Sequence, residues 1–476
     1  MTTPIISQLQ TLSQRPHARF YCPGHKGGKG ADIALLSLLG GRALDADLPE
    51  LPELDNLFAP AGVIKEAQEL TAPVFGAKNS WFLINGSTCG VIASILATCG
   101  KGDKIVLPRN VHQSAIFGLI LSGAMPIFIS PEYDSNFNVC YGVSPRQITK
   151  ILNENDDIKA VLIVSPSYEG ICSNISEIAK ITHQYNIPLL VDEAHGAHFH
   201  FHDNLPSSAL SCGADVVIQS THKVLGALTQ ASMIHLQGDL VKKERISEVL
   251  RLLQSSSPNY LLLASLDAVR EQMAREGKEL LTKTINLATL ARNELEKFDY
   301  LQVLQRPSPQ DNFFDLDITR LTINVNNLSL NGYEIDDIFH RELGVSCELP
   351  TATNLTFIIS IGNTETDIKM LINACEKIAP YQTNQVKNYL IPPQPLSHVK
   401  MSPRQAFWAS KISVTFADSI NHICAETICP YPPGIPLLMP GEVITREIID
   451  YLTLLQEWGA TVTGADHNFI QIVKSL

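Results

Sequence analysis

The sequence predicts an α/β fold with a mostly parallel sheet. Seven short apolar runs rich in β-formers lie between about Trp81 and Leu236, helical stretches separate most of them, and polar residues sit at their carboxyl ends. The runs are WFLIN from Trp81, KIVLP from Lys104, PIFIS from Pro126, AVLIVS from Ala160, LLVDEA from Leu189, DVVIQST from Asp215 and ASMIHL from Ala231. The seventh follows the sixth too closely for a helical crossover, so it is expected to lie antiparallel to its neighbour. Helix boundaries have matching punctuation. Ser144-Pro145 offers an N-cap and a first-turn proline, Ser176 can cap SEIAKITHQY, and Gly100 or Gly102 can stop the helix before Asp103.

Residues 1–70 form an arm rich in Gly, Pro and Leu, with PGHKGGKG from Pro23 and DLPELPELDNLFAPAG from Asp47. Such a segment packs poorly alone and is expected to lie over another surface. Residues 71–300 make the large sheet domain, closing with helical residues from about Val241 to Phe298. A smaller α+β domain spans 301–385. A proline-bearing linker, LIPPQPLSHVKMSP from Leu390, opens a C-terminal domain over 386–476.

A chain of 476 residues with 45% hydrophobic content can bury a sizeable core. The first twenty residues lack a basic stretch followed by an apolar core, and apolar runs such as Leu261–Leu263 are too short to cross a bilayer. Ten scattered cysteines without CxxC pairs read as reduced thiols. A cytoplasmic protein with no membrane partner is therefore expected. The net charge of −12, without a concentrated Lys/Arg face, argues against nucleic acid and anionic lipid.

In open α/β sheets ligands bind beyond the carboxyl ends of the strands, and the polar residues fall there. Asn85-Gly86-Ser87-Thr88 follows the first run and opens a helix, so backbone N–H groups and two hydroxyls can cradle a phosphate. Asp192 ends an apolar run, where a carboxylate is costly unless it faces a partner in the crevice. A protonated pyridine nitrogen is such a partner, as pyridoxal 5′-phosphate (PLP) chemistry requires; a structural Asp bonding a nearby loop is the alternative. Ser220-Thr221-His222-Lys223 ends the sixth run, placing an imine-forming lysine beside a hydroxyl and an imidazole that can reach the phosphate. His112, just beyond the second run, can lie flat on the cofactor ring. His195, His198, His200 and His202 follow Asp192, and the alternating histidines would share a face in a strand-like run. No second ligand cluster has suitable spacing, so no metal site is expected.

These residues carry a resemblance to the fold-type-I PLP-dependent ornithine/lysine/arginine decarboxylases, in their short bacterial form. Its most specific piece is SxHKxLxxxxQ, present as Ser220-Thr221-His222-Lys223-Val224-Leu225 with Gln230. Supporting pieces are PGHKGG from Pro23, ELPELDNL from Glu50, NGST from Asn85, RNVHQS from Arg109, DEAHGAH from Asp192 and PYPPGIPLLMPGE from Pro430. The resemblance implies that Lys223 carries PLP as a Schiff base, Asp192 pairs with the pyridine nitrogen and His112 stacks on the ring. It places Gly86, Ser87, Thr88, Ser220 and His222 around the phosphate and Glu348 near the substrate side chain. Catalysis would fall to Lys223, His112, Asp192 and His195, with Lys223 or a histidine returning a proton to the α-carbon.

The resemblance also implies a homodimer, or a higher even oligomer, in which the Ser255-Ser256-Ser257-Pro258 turn reaches the other subunit's site. The chain departs from the usual acidic segment: Pro49 precedes Glu50, Glu53 replaces a glycine, Asn56 an aspartate and Phe58 a histidine. Those changes bear on substrate identity. The receiver-like domain of the long inducible enzymes has no counterpart in this sequence, so their large assemblies are not expected. The implied activity is decarboxylation of a small cationic amino acid, lysine or arginine and possibly ornithine, to cadaverine, agmatine or putrescine. Two other readings stay open: another fold-type-I aminotransferase or lyase, and a non-catalytic PLP-binding regulatory protein. Against an aminotransferase, no convincing arginine for an α-carboxylate stands out between Leu301 and Tyr381.

Overall fold

A computed structural model of the chain describes residues 2–306, 312–383, 399–431, 433–466 and 468–474. Its centre is a seven-stranded sheet made of β1 (Asn79–Leu83), β2 (Lys104–Pro108), β3 (Met125–Ile129), β4 (Ile158–Val164), β5 (Leu189–Asp192), β6 (Val216–Gln219) and β7 (Ser232–Leu236). All seven apolar runs enter it, in the order β1-β7-β6-β5-β4-β2-β3. Strands β3, β2, β4, β5 and β6 are parallel, whereas β7 is antiparallel to both β6 and β1. The reason is the short connection: one helical turn, Thr221–Val224, and a brief loop separate β6 from β7, so the chain must reverse.

Strands β5, β6 and β7 are buried on both faces because helices cover both sides of the sheet. The helices that matter below are α1 (Pro4–Gln14), α2 (Gly86–Thr98), α3 (Gln113–Ser122), α4 (Pro145–Glu154), α5 (Ile175–Gln184), α6 (Lys243–Leu253), α7 (Tyr260–Leu295) and α8 (Arg446–Glu457). Residues of α2, α3 and α6 join one core layer, and those of α4 and α5 another. Gly90 lets α2 press on the sheet, since a β-carbon there would meet Ile218 and Leu83 at 2.8 Å.

Ser144 caps α4 in a capping box with Gln147, as its sequence signals. Helix α5 differs from expectation. Its cap is Asn174, whose side chain accepts from Glu177 N–H, and Ser176 lies inside the first turn. The buried stripe begins at Ile175 and continues through Ile178, Ala179 and Thr182, which draws the start two residues earlier. Helix α2 likewise ends at Thr98, before either glycine, and Gly100 N–H turns instead to Asp103 Oδ2 at 2.8 Å.

The helical stretch after β7 divides into α6 and the 36-residue α7. The first part of α7 packs with the arm and its last turns with a second sheet, so this one helix bridges two cores. That sheet orders β8 (Gln302–Val303), β9 (Arg320–Asn324), β11 (Asn354–Ile358) and β10 (Leu349–Pro350) as β8-β9-β11-β10. Helix α1 docks on α7, with Ile5 N–H donating to Asp267 Oδ2 at 3.0 Å and Ile5, Leu9 and Leu12 in the core. The arm's middle does not bury itself so well: Phe20, Ile33 and Leu38 are 96%, 76% and 80% exposed. Most of the proline-bearing stretch from Leu390 lies outside the described residues. All ten cysteines are free. Among the described residues no helix is long and apolar enough to cross a membrane.

The cap assignment is testable. Asn174→Ala is expected to lower stability by about 1 kcal/mol, whereas Ser176→Ala leaves it nearly unchanged, both read as denaturation midpoints. Equal effects would contradict the assignment.

Candidate active site

Beyond the carboxyl ends of the parallel strands lies a cavity of about 490 Å³, within the range of small-ligand sites. The candidate catalytic, cofactor-binding and substrate-binding residues read from the sequence all line it: Gly86, Ser87, Thr88, His112, Asp192, His195, Ser220, His222, Lys223 and Glu348. Topology explains the convergence. Asp192 ends β5, the turn carrying Ser220 to Lys223 leaves the adjacent parallel strand β6, and Gly86 opens α2 directly after β1.

At one end the hydroxyls gather around the N-terminus of α2. Gly86 adopts φ +74, a conformation suited to glycine, and starts the helix there. Ser220 Oγ donates to Ser87 Oγ at 2.6 Å, which ties the β6 turn to the helix. His222 Nδ1 donates to Ala231 carbonyl at 3.0 Å. Helix N–H groups, hydroxyls and an imidazole form a cradle that could hold a phosphate. His112 is the N-cap of α3; its Nδ1 accepts from Ser114 N–H at 3.2 Å and lies 2.8 Å from Ser114 Oγ. Burial, and then the charge of Lys223, pull its pKa down to about 4, so the ring is neutral at physiological pH.

Lys223 Nζ lies 2.9 Å from His195 Nε2 and 5.3 Å from the centroid of the Tyr168 ring. Burial lowers its pKa to about 8; Asp192 and Glu348 oppose that shift and Arg320 adds to it. Burial raises the pKa of Asp192, with Lys223 and the Ala194 N–H working against it. This carboxylate calls for a cation opposite it. Burial, followed by Lys223 and Arg320, holds His195 well below its usual range and keeps it neutral.

Several site residues escaped sequence reading. Arg320, on β9, lies in the very segment where no suitable arginine was found. It is fully buried, its Nη2 donates to His195 carbonyl at 3.1 Å, and it does not line the cavity. It braces the backbone of His195 and places a positive charge that acts on Lys223. Pro430, Tyr431, Pro433, Ile435, Pro436 and Leu437 also line the cavity. Tyr168 Oη donates to Pro433 carbonyl at 2.6 Å, and Gln113 N–H to Gly434 carbonyl at 2.9 Å. Arg109 donates to the carbonyls of Pro436 and Leu437 and forms a two-pronged buried pair with Glu442. Gly434, at φ +85, sits so close that a β-carbon would come within 3.0 Å of the His112 ring. The motifs holding Arg109 and Gly434 were visible in the sequence, but nothing there paired them.

The histidine run also differs from expectation. The chain leaves β5 after Asp192 and turns through a short 3₁₀ helix, Phe199–Phe201, so its histidines do not share a strand face. His198 pairs with Asp317 at 3.2 Å, and His202 contacts Thr282. Among the described residues no group of three His, Cys, Asp or Glu side chains is placed to hold a metal ion. The Ser255–Ser257 turn is exposed; Gln254, just before it, accepts from Ile84 N–H and donates to Phe82 carbonyl, close to the cradle.

The family model for the Orn/Lys/Arg decarboxylase major domain matches residues 3–367, and that for the C-terminal domain matches residues 385–473. The chain belongs to the Orn/Lys/Arg decarboxylase family. This decarboxylase is 36% identical to an arginine decarboxylase of Bacillus subtilis (strain 168), over 99% of this chain and 97% of that one. It is 26% identical to the constitutive lysine decarboxylase of Escherichia coli (strain K12), over 98% of this chain and 79% of that one. The crystal structure of the Francisella novicida lysine decarboxylase LdcF superposes with a TM-score of 0.85 at 23% identity, covering 99% of this chain and 81% of that one. The decarboxylase thus has the fold-type-I architecture, with the seven-stranded sheet at its centre.

The electrostatics of the site predict how Lys223 titrates. In cofactor-free decarboxylase, amine labelling of Lys223 is expected to reach half its maximal rate near pH 8, because burial favours the neutral amine. Asp192→Asn removes a charge that raises this pKa, so the midpoint moves to lower pH. A midpoint near that of surface lysines would contradict the site's electrostatics.

Proposed function

We propose that this decarboxylase removes the α-carboxylate of a basic L-amino acid, arginine ahead of lysine and ornithine, using PLP carried on Lys223. The observation that carries the reading is one cavity holding a buried amine, a buried carboxylate and a phosphate cradle. The residues fit PLP. Among the described residues Asp192 is a buried carboxylate with no salt-bridge partner, which suits a protonated ring nitrogen. Ser87, Thr88, Ser220, His222 and the N-terminus of α2 would hold the phosphate, and His112 would cover the ring. When bound, PLP supplies an electron sink for the pair released as the carboxylate leaves.

The chain's own groups do the rest. Lys223 lies close enough to neutrality at physiological pH to supply an uncharged amine. The reaction breaks one carbon–carbon bond, releases carbon dioxide and adds one proton at the α-carbon. Lys223 and His195, 2.9 Å apart, are the groups placed to pass that proton. Glu348 is an exposed residue that also lines the cavity, so it stands at the entrance, beside the incoming cationic substrate. Arginine is favoured because the arginine decarboxylase of Bacillus subtilis (strain 168) is the nearer in sequence of the two relatives described above.

The reading extends to assembly. Phe20, Ile33, Leu35, Leu38 and Leu39 expose an apolar face on the arm, of the kind that a second copy of the chain would cover in a homodimer. The Ser255–Ser257 turn beside the cradle would then face the shared site. The division at about 70, 300 and 385 into arm, large, small and C-terminal domains belongs to this reading, as does a cytoplasmic location consistent with free thiols.

Purified holoenzyme is expected to show the visible absorbance of lysine-bound PLP and to turn arginine into agmatine and carbon dioxide. Lys223→Ala is expected to lose both the band and the gas. Full turnover by that variant, or a keto acid as product, would overturn the reading.

A further inference from the structure

A buried carboxylate that the proposed chemistry leaves unused sits next to Asp192 in the chain. Glu193 lies between Asp192 and His195 and does not line the cavity. Three bonds fix it to the elements around it. Its N–H donates to Ile218 carbonyl at 2.9 Å, its Oε1 accepts from Ala209 N–H at 2.7 Å, and its Oε2 accepts from Gln219 Nε2 at 2.7 Å. Its own carbonyl accepts from Gly196 N–H at 3.0 Å, which closes a turn around His195. Gly196 has no room for a side chain, since a β-carbon there would stand 2.7 Å from Glu193 Cγ. Burial pushes the Glu193 carboxyl up to about 8, against the pull of Gln219 and the Ala209 N–H.

The bond to Gln219 is one link of a longer chain. Gln219 gives its amide N–H to Glu193, so its Oε1 is left to accept from His235 Nε2 at 3.2 Å. Burial drives the His235 pKa down to about 3, with His200 adding to the shift, so the ring is neutral and carries one proton. With that proton on Nε2, Nδ1 accepts from Ser80 Oγ at 2.7 Å. All four side chains are buried, and the chain crosses from the end of β5 through β6 and β7 to β1. None of the four leaves a buried polar atom without a partner. A polar network satisfied in this way makes rigid what it joins, whereas a partly satisfied one is costly.

The chain joins the two ends of the cofactor site from outside the cavity. Gln219 immediately precedes Ser220, whose Oγ donates to Ser87 Oγ in the cradle. Glu193 immediately follows Asp192 and holds the turn from which His195 reaches Lys223 at 2.9 Å. We propose that Glu193 is a positioning residue for the decarboxylation: through its bond to Gln219 it sets Asp192 and His195 against the turn from Ser220 to Lys223. The inference rests on the proposed PLP reading, and it adds a residue that touches neither the cofactor nor the substrate.

The test exchanges the two partners. Glu193→Gln replaces the charged acceptor by an amide, Gln219→Glu sets a second carboxylate against the first, and the double variant again faces one carboxylate with one amide. Assays at about pH 9 keep Glu193 ionised in the wild type. Each single variant is expected to weaken PLP binding by roughly 10-fold to 100-fold, the scale of a lost hydrogen bond to a charged group. The circular dichroism of the visible band, which reports how the ring is held, should fall with it. The double variant should bind PLP within about threefold of wild type and recover the band. Asn174→Ala, which loses stability at the α5 cap without touching this chain, is the control: it should melt earlier and bind PLP as wild type does. If either single variant binds PLP like wild type with an unchanged band, or the double variant fails to recover the loss, Glu193 has no positioning role while the PLP reading stands. If wild type binds no PLP, both fall together. Where Gln219→Glu alone fails to fold, Glu193→Gln and the double variant decide the matter by themselves.

Discussion

An amine and a carboxylate, both removed from water, share one crevice at the ends of two adjacent parallel strands, and most of the site follows from making that arrangement tolerable. Burial drives Lys223 toward the neutral amine and Asp192 toward the neutral acid, while each charge counteracts the other's shift. Such a pair is poised: a small change in its surroundings decides which group carries charge. A protonated ring nitrogen opposite Asp192 would favour the carboxylate, and the neutral amine of Lys223 would then be the nucleophile.

The rest of the molecule holds that crevice in shape. Parallel pairing of β5 with β6 fixes the spacing between Asp192 and the turn bearing Lys223. Arg320 reaches across from the second sheet to His195 carbonyl, so the small sheet braces the wall behind the lysine. From the other side the 433–437 segment, gripped by Arg109 and Tyr168, presses Gly434 against His112. Three regions far apart in sequence therefore meet on one cavity. A change in any of them can alter chemistry without touching the lysine.

Much of this was legible in the sequence, for a physical reason. Parallel strands buried on both faces read as continuous apolar runs, and a polar residue at the end of such a run stands out. Asp192, Ser220 and Lys223 stand out in that way, and Gly86 to Thr88 follow another run, so this part of the cavity lining could be assembled residue by residue. The α5 cap was misplaced because Ser176 is an ordinary capping residue, and the burial of Ile175, which draws the helix back to Asn174, is a tertiary fact. Arg320 was missed for a related reason. An arginine in a strand carries no local mark of burial, and only the packing of β9 against Gly170 and His195 gives it one.

The account turns on which nitrogen in the protein bonds the cofactor. Reducing the PLP-loaded enzyme with borohydride and mapping the modified peptide identifies that atom directly. The pyridoxyl group is predicted on residue 223 alone, in stoichiometric yield; finding it on another lysine, or on none, would contradict the account.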